Sequence, residues 1–288
     1  MANLKEIKNR INSVGSTMKI TSAMKMVSAA KLKKAQDAIT AMRPYAQKLS
    51  ELLNGLSTSM DGEIGGDYTA LRPINKVLLV VVTSNRGLCG AFNSNVIKAT
   101  QQRIQSTYKG KEVAILSIGK KGGDSLKKRF SIIEDQSTLF DDLTFDNAAQ
   151  IAQNIMDKFV SGEFDKIELI YNHFKNAASQ TVLTEDFLPL KASSESDNTS
   201  VNLDYLFEPS KEEIILDLIP KSLKMQLYKA VRDSFASEHG ARMTAMHKAT
   251  DNASDLKNQL TLSYNKARQA AITGEILEIV GGAEALNG

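Results

Sequence analysis

Between Lys221 and Val280 the chain runs for sixty residues without a proline, and Gly240 and Gly274 are the only glycines in that stretch. An unbroken helix of this length spans about 90 Å at 1.5 Å rise per residue. A compact chain of 288 residues has a radius of gyration near ~19 Å, a sphere only about 50 Å across. The helix outgrows the globule it belongs to, so it must break or project. Composition favours projection: Ala241, Ala245, Ala249 and Ala253 repeat every four residues and are followed by Leu256, Leu260, Ala267 and Ala271, small and apolar side chains on one face that let a second helix approach closely.

The other long helical segment is the amino-terminal one. Leu4, Ile7, Ile11, Val14, Met18, Thr21, Lys25, Ser28, Leu32, Ala35, Ile39 and Met42 alternate spacings of three and four, the mark of a helix packed along one seam. At Thr21, Lys25 and Ser28 the apolar stripe fails, while Ile20, Met24 and Val27 offer a neighbouring one, so a second partner is expected there. Pro44 is expected to kink or interrupt the helix, because it removes a hydrogen bond and clashes with the preceding turn. The two ends of the chain are then expected to wind together as an antiparallel coiled coil. The carboxyl-terminal helix is the longer, so its tip outlasts its mate. There Ile276, Leu277, Ile279 and Val280 are read as a tip apolar on all sides, and such a helix is expected to need cover on all sides.

The centre of the chain changes character. "KVLLVVV", "KEVAILSIG" and "KIELIYNHF" are apolar runs of strand length, separated by helical stretches near "NSNVIKATQQRIQ" and "DNAAQIAQNIMDKFV". Strands alternating with helices imply right-handed crossovers and a largely parallel sheet covered on both faces. The expected fold class is α/β: a long antiparallel coiled coil of N- and C-terminal helices plus a Rossmann-like α/β domain. Residues 75–190 form that domain, and residues 1–56 and 211–288 form one discontinuous stalk. "KASSESDNTSVNLD" reads as a Ser-rich, acidic linker or surface loop.

Little in the sequence points to chemistry of its own. Cys89 is the one cysteine, so no internal disulfide is possible and a buried small hydrophobe is the default reading. The amino terminus carries charge from Lys5 and lacks the apolar core of a secretory signal. "VLLVVV" is far shorter than the ~18 apolar residues of a membrane span. Eight basic residues against one acid between Met1 and Gln36 read as a solvated helix face, without the aromatics that read bases, so no nucleic-acid partner is expected. "TSNRGLCGAFN" follows a strand but lacks both phosphate-binding glycine patterns, so it reads as a tight turn. His173, His239 and His247 are scattered, so no metal site, catalytic residue or cofactor is expected. One polar cluster stands out just below the apolar tip, where Arg268, Gln269 and Thr273 lie within a turn and a half.

Four blocks, "IKNRINSVGSTMKITSAMKMVSAAKLKKAQ", "SNRGLCGAFN", "YNHFKNAASQ" and "ARMTAMHKATDNASDLKNQLTLSYNKARQAAITGEILEIVGGAEAL", closely resemble the gamma subunit family of the bacterial-type rotary ATP synthase over essentially the full length. The resemblance implies a non-catalytic central stalk, one copy per complex, inserted into a hexamer of alternating alpha and beta subunits. It couples proton translocation through the membrane c-ring to ATP synthesis at the beta subunits, peripheral to the cytoplasmic face of the bacterial inner membrane. The resemblance further implies that Met24, Lys25, Arg268, Gln269 and Thr273 meet the catch loops of beta. Ile276, Leu277, Ile279, Val280 and Leu286 would sit in the hexamer's apolar bearing, and Tyr205 with Glu208 would form the foot that meets the c-ring and the epsilon subunit. His239 and Gly240 depart from the family's Gln and Ala and are expected to soften the helix. The Cys-containing regulatory insertion of chloroplast relatives is absent. The rival readings are a small-molecule or nucleotide-binding α/β enzyme using the "TSNRGLCGAFN" loop and a basic helical nucleic-acid binder; neither accounts for the apolar tip.

Overall fold

The computed structural model describes residues 4–57, 66–177, 179–190 and 210–287, with the side chains of 50, 53–57, 211, 212, 286 and 287 outside that description. The element order is α1 (Leu4–Ser57), β1 (Lys76–Val82), α2 (Phe92–Ser106), β2 (Glu112–Ile118), α3 (Lys120–Leu126), β3 (Ser131–Asp135), α4 (Phe145–Val160), β4 (Lys166–Phe174), β5 (Gln180–Leu188) and α5 (Lys211–Asn287). The chain divides into two compact units, Ala29–Arg242 and the pair of segments Met1–Ser28 and Met243–Gly288.

In the larger unit, β1 is the sequence run "KVLLVVV" and is buried from Val77 to Val82. Successive side chains of a strand point to opposite faces, and here each face has its own core. Leu78, Val80 and Val82 pack with Ile151, Ile155 and Phe159 of α4 and with Ile215, Ile219, Leu223 and Leu227 of α5. Val77, Leu79 and Val81 pack with Val96 of α2, Tyr108 and Leu126 of α3. Burial on both faces is why the run is continuous rather than alternating. The sheet has the order β3-β2-β1-β4-β5. β1 pairs in parallel with β2 and β4, β2 pairs in parallel with β3, and β5 closes the sheet antiparallel to β4. This is the doubly wound order expected of a Rossmann-like domain. The two edge strands were not legible as apolar runs. β3, "SIIED", and β5, "QTVLTEDFL", are covered only in part along most of their lengths, so their composition is mixed.

A buried ionic cluster pins one end of the sheet. Glu168 of β4 is fully buried and accepts hydrogen bonds from Arg103 at 2.9 and 2.7 Å and from the Tyr108 hydroxyl. Lys166 lies 2.9 Å from Glu168 and 3.0 Å from Asp186 of β5. Burial pushes the Glu168 carboxyl up, and Arg103, Tyr108 and Lys166 together more than reverse it, holding it below the usual carboxylate range. The Tyr108 hydroxyl is pushed up to about 12, by burial first and then by Glu168.

Both long helices run through a proline. α1 continues past Pro44 as one helix, so of the expected kink or interruption the interruption does not occur. Pro44 is exposed, so the carbonyl that loses its donor can be solvated. α5 begins ten residues before Lys221 and includes Pro220.

In the smaller unit the helices are antiparallel. Thr21 Oγ1 lies 2.8 Å from Thr250 Oγ1, and Lys25 Nζ lies 3.4 Å from His247 Nδ1. The covered line of α1 is the heptad read from sequence, with Ile7, Thr21 and Ser28 buried in this unit, and Leu32 and Ala35 on the same repeat buried in the larger one. The stripe does not fail at its centre; it turns polar and stays in the seam. On α5 the covered line runs through Met246, Thr250, Ala253, Lys257, Leu260, Tyr264 and Ala267, a seven-residue repeat; of the alanine ladder, Ala253 lies on it and Ala245 and Ala249 are half-buried. Leu256 is 45% exposed because it lies off that line.

Candidate partner-binding surfaces

The stagger set by Thr21 and Thr250, carried down to Leu4, brings the start of described α1 opposite Ala267. The residues of α5 beyond that point have no facing residue on described α1. Arg268, Gln269 and Thr273 begin this stretch and all three are exposed. The Thr273 hydroxyl donates to the Gln269 carbonyl at 2.9 Å, which leaves the Arg268 guanidinium and the Gln269 amide as the outward donors. Next come Ile276, Leu277, Ile279 and Val280, exposed by 53, 66, 71 and 52%; on a helix they share one broad face of roughly 160°, with the exposed Glu275 and Glu278 on the other side, so the tip is not apolar all round as expected. Large apolar side chains in such a run are an interaction surface. Leu286 lies in the last turn of α5, but its side chain falls outside the described residues, as do Tyr205 and Glu208 altogether.

Met24 and Lys25 are half-buried. Lys25 faces His247, which is itself 3.3 Å from Asp251. Along α5 that level is about 30 Å from Arg268 at 1.5 Å per residue, so the chain presents two separate polar sites rather than one. The neighbouring stripe on α1 is open, with Ile20 60% and Val27 57% exposed.

The "TSNRGLCGAFN" loop is filled by its own groups. Ser84 donates from its backbone N–H and its hydroxyl to Asn93 Oδ1 at 3.0 and 3.1 Å, and Asn93 Nδ2 reaches Ser84 Oγ at 2.8 Å and Cys89 Sγ at 3.3 Å. Cys89 is buried. A phosphate cradle needs backbone N–H groups directed at the ligand; here the carbonyls of Arg86 and Gly87 face outward from the loop and accept from Arg242. Gly119, at φ 116°, closes the adjacent turn so tightly that a Cβ would stand 2.1 Å from the Thr83 carbonyl oxygen, which a side chain cannot do. Among the described residues there is no group of histidine, cysteine and carboxylate side chains that could hold a metal ion.

A family model described as ATP synthase matches residues 3–286. The ATP synthase gamma chains of Flavobacterium psychrophilum and Flavobacterium johnsoniae are each 70% identical to this chain over 288 residues, covering all of both partners. The chain belongs to the ATP synthase gamma-chain family. Among solved structures, a chain of the Tetrahymena thermophila mitochondrial ATP synthase central stalk and c-ring is 27% identical, with a TM-score of 0.58 over 80% of this chain and 99% of that one. A chain of the Euglena gracilis mitochondrial ATP synthase OSCP/F1/c-ring assembly has a TM-score of 0.72 over 98% of this chain and 94% of that one, and at 22% identity shares the fold. A gamma chain is a subunit of ATP synthase, a membrane-associated complex, and among the described residues no helix is long and apolar enough to cross a membrane.

One feature of this gamma chain was missed in the sequence. From Asp233 to Arg242 helix α5 is polar in composition yet buried almost all round: Asp233, Ser234, Ser237, Glu238, His239 and Arg242 are each less than 9% exposed. Asp233 Oδ2 pairs with His173 Nδ1 at 2.6 Å, Ser237 donates to the Asn172 carbonyl at 3.1 Å, and Arg242 binds Glu238 at 2.6 Å. The departure at Gly240 has a steric reason, because a Cβ there would lie 3.2 Å from Ala177 Cα and 3.3 Å from its carbonyl oxygen. The signal available in the sequence was the small residues Ala236, Ser237, Gly240 and Ala241 within two turns, which mark close approach.

His239 sits edge-on to Phe235 with ring centroids 4.4 Å apart, and its Nε2 has no hydrogen-bond partner. Burial first, then Arg242 and Lys31, lower its pKa to about 3. The unfolded chain binds that proton near pH 6.5, so this group leaves stability intact above about 6.5 and erodes it as the pH falls towards 3. Burial raises the pKa values of neighbouring Glu238 and Asp233, which acts in the opposite sense, so the histidine contribution is isolated by difference. The stability of a His239→Gln variant relative to the parent chain should rise as the pH is lowered from 7.5 to 5, by at most about 1.4 kcal/mol per pH unit. Urea melts of the two chains at several pH values check this; a pH-independent difference would contradict it.

Proposed function

We propose that this chain is the central-stalk rotor subunit of an F-type ATP synthase, itself non-catalytic and present once per complex. It couples proton translocation through the c-ring to ATP synthesis at the beta subunits of an alpha/beta hexamer, with the epsilon subunit beside its foot. Its place is peripheral, at the cytoplasmic face of a bacterial inner membrane. The observation that carries the reading is the apolar end of α5, exposed at Ile276, Leu277, Ile279 and Val280 beyond the reach of α1, on a chain 70% identical to gamma chains along its whole length.

Residues 1–56 and 211–288 act as one discontinuous stalk and residues 75–190 as the domain beside it. The apolar tip, with Leu286, turns in the hexamer's bearing, since contacts without directional bonds are lost and remade at little cost as the angle changes. Arg268, Gln269 and Thr273, together with Met24 and Lys25 lower down, supply polar contacts to beta that differ with angle. A partner whose conformations are bound unequally by the rotor at each angle has its nucleotide affinity set by that angle. Tyr205 and Glu208 meet the c-ring and epsilon.

The test is expression of an affinity-tagged version of the chain in a cell whose own gamma gene is deleted. Isolation should yield alpha, beta and epsilon with the tagged chain in a single copy per hexamer. Recovery of the chain free of alpha and beta would refute the assignment. Titration calorimetry of the isolated chain with ATP and ADP examines the enzyme alternative, for which a stoichiometric heat is required.

A further inference from the structure

From Ile215 to Val231, helix α5 is held to the sheet by Ile215, Ile219, Leu223, Leu227 and Val231, a stripe at four-residue spacing. This stripe sets which face of the helix meets the sheet, but each apolar contact within it lacks a preferred angle, so small rotations about the axis are resisted less than removal of the helix. In the next eleven residues burial continues and the chemistry changes. His173 at the end of β4 pairs with Asp233, the Asn172 carbonyl accepts from Ser237, and the Arg86 and Gly87 carbonyls in the loop after β1 accept from Arg242 at 3.0 and 3.3 Å. These bonds come from two separate parts of the sheet and are directional, losing strength steeply with misalignment. Buried polar groups are costly compared with apolar ones of the same volume, so what they supply here is orientation.

We infer that Asp233, Ser237 and Arg242 form an angular lock: positioning residues that fix the rotation of α5 about its axis relative to the α/β domain. The inference rests on the rotor reading above. If the domain is turned by the c-ring, the continuous helix passes that turn to Arg268 and Gln269 only while the lock holds, and a lock that slips wastes part of each turn. Gly240 completes it by letting the backbone at Ala177 approach so closely that a Cβ would stand 3.2 Å from Ala177 Cα and would push it back.

The experiment replaces direction while keeping burial. In the whole ATP synthase reconstituted in lipid vesicles, the triple variant His173→Leu, Asp233→Leu, Ser237→Ala removes both members of the His173–Asp233 hydrogen-bonded pair and one further hydrogen bond without leaving either member of the pair buried alone. ATP hydrolysis should stay within twofold of the parent enzyme, while protons pumped per ATP hydrolysed fall at least threefold. An unchanged ratio overturns the lock. Should the triple variant fail to assemble, the pair His173→Cys, Asp233→Cys decides: bridging the two thiols with a short bifunctional reagent should restore at least half of the lost pumping ratio, and no recovery overturns the lock. Failure of the rotor reading would look different, because the parent chain itself would then not be recovered with alpha and beta.

Discussion

Replacing Glu168 with alanine should lower the melting temperature of the α/β domain by about 10 °C. The carboxylate is fully buried and is shared by Arg103, Tyr108 and Lys166. Its removal leaves a guanidinium, an ammonium and a phenol hydroxyl around an apolar gap. Breaking a buried pair from one side costs about 3–5 kcal/mol, and in a domain of this size each kcal/mol moves the midpoint by roughly 2–4 °C. Arg103→Ala should cost much less, about 1–2 kcal/mol, because the Arg103 side chain is 34% exposed and Glu168 keeps Lys166 and Tyr108. Thermal denaturation followed by circular dichroism ranks the two; equal losses would mean that the cluster behaves as a surface network. The acid limb follows the same logic. Glu168 has its pKa held low in the folded state, so its contribution is complete above the unfolded carboxylate range and is lost as the pH falls through the folded value.

The parts of this fold that announce themselves in sequence are those where one physical demand acts alone. A central strand buried on two faces must be apolar throughout, and "KVLLVVV" is. A helix seam repeats every seven residues, and Ile7, Leu32 and Ala35 fall on it. The apolar tip from Ile276 to Val280 was legible because nothing within its own helix explains it. Legibility fails where two demands compete. Thr21 and Ser28 look like an interruption of the seam, yet they are buried in it, since their hydroxyls find partners at the Thr250 hydroxyl and the Met24 carbonyl. The stretch from Asp233 to Arg242 is polar by composition and is nonetheless enclosed, because Asp233, Ser237 and Arg242 find partners in His173 and in the carbonyls of Asn172, Arg86 and Gly87, far away in sequence. Pro44 looks like a point of interruption and is not one, since packing along the rest of a helix outweighs one missing hydrogen bond. Pairwise matching and tertiary override leave no period in the chain to detect.

Changing Arg268 and Gln269 together to alanine should reduce coupled ATP synthesis by the reconstituted complex roughly 10- to 100-fold, on the basis of about 1.5 kcal/mol for each polar contact to a partner. Both side chains are exposed in this chain, so their removal should leave its own melting temperature unchanged, and the loss belongs to contacts made outside it. Two comparisons sharpen the result. Thr273→Val should have a smaller effect, because the Thr273 hydroxyl is already spent on the Gln269 carbonyl. Ile276→Ala with Ile279→Ala should weaken retention of the chain by the hexamer while leaving synthesis per assembled complex within about twofold, since under the proposed function truncating the apolar tip removes area that the partner buries without removing a contact that distinguishes one angle from another. If the tip pair damaged synthesis as much as the polar pair, angle would be read by the apolar end instead, and the division of labour between a smooth tip and a polar cluster below it would be wrong.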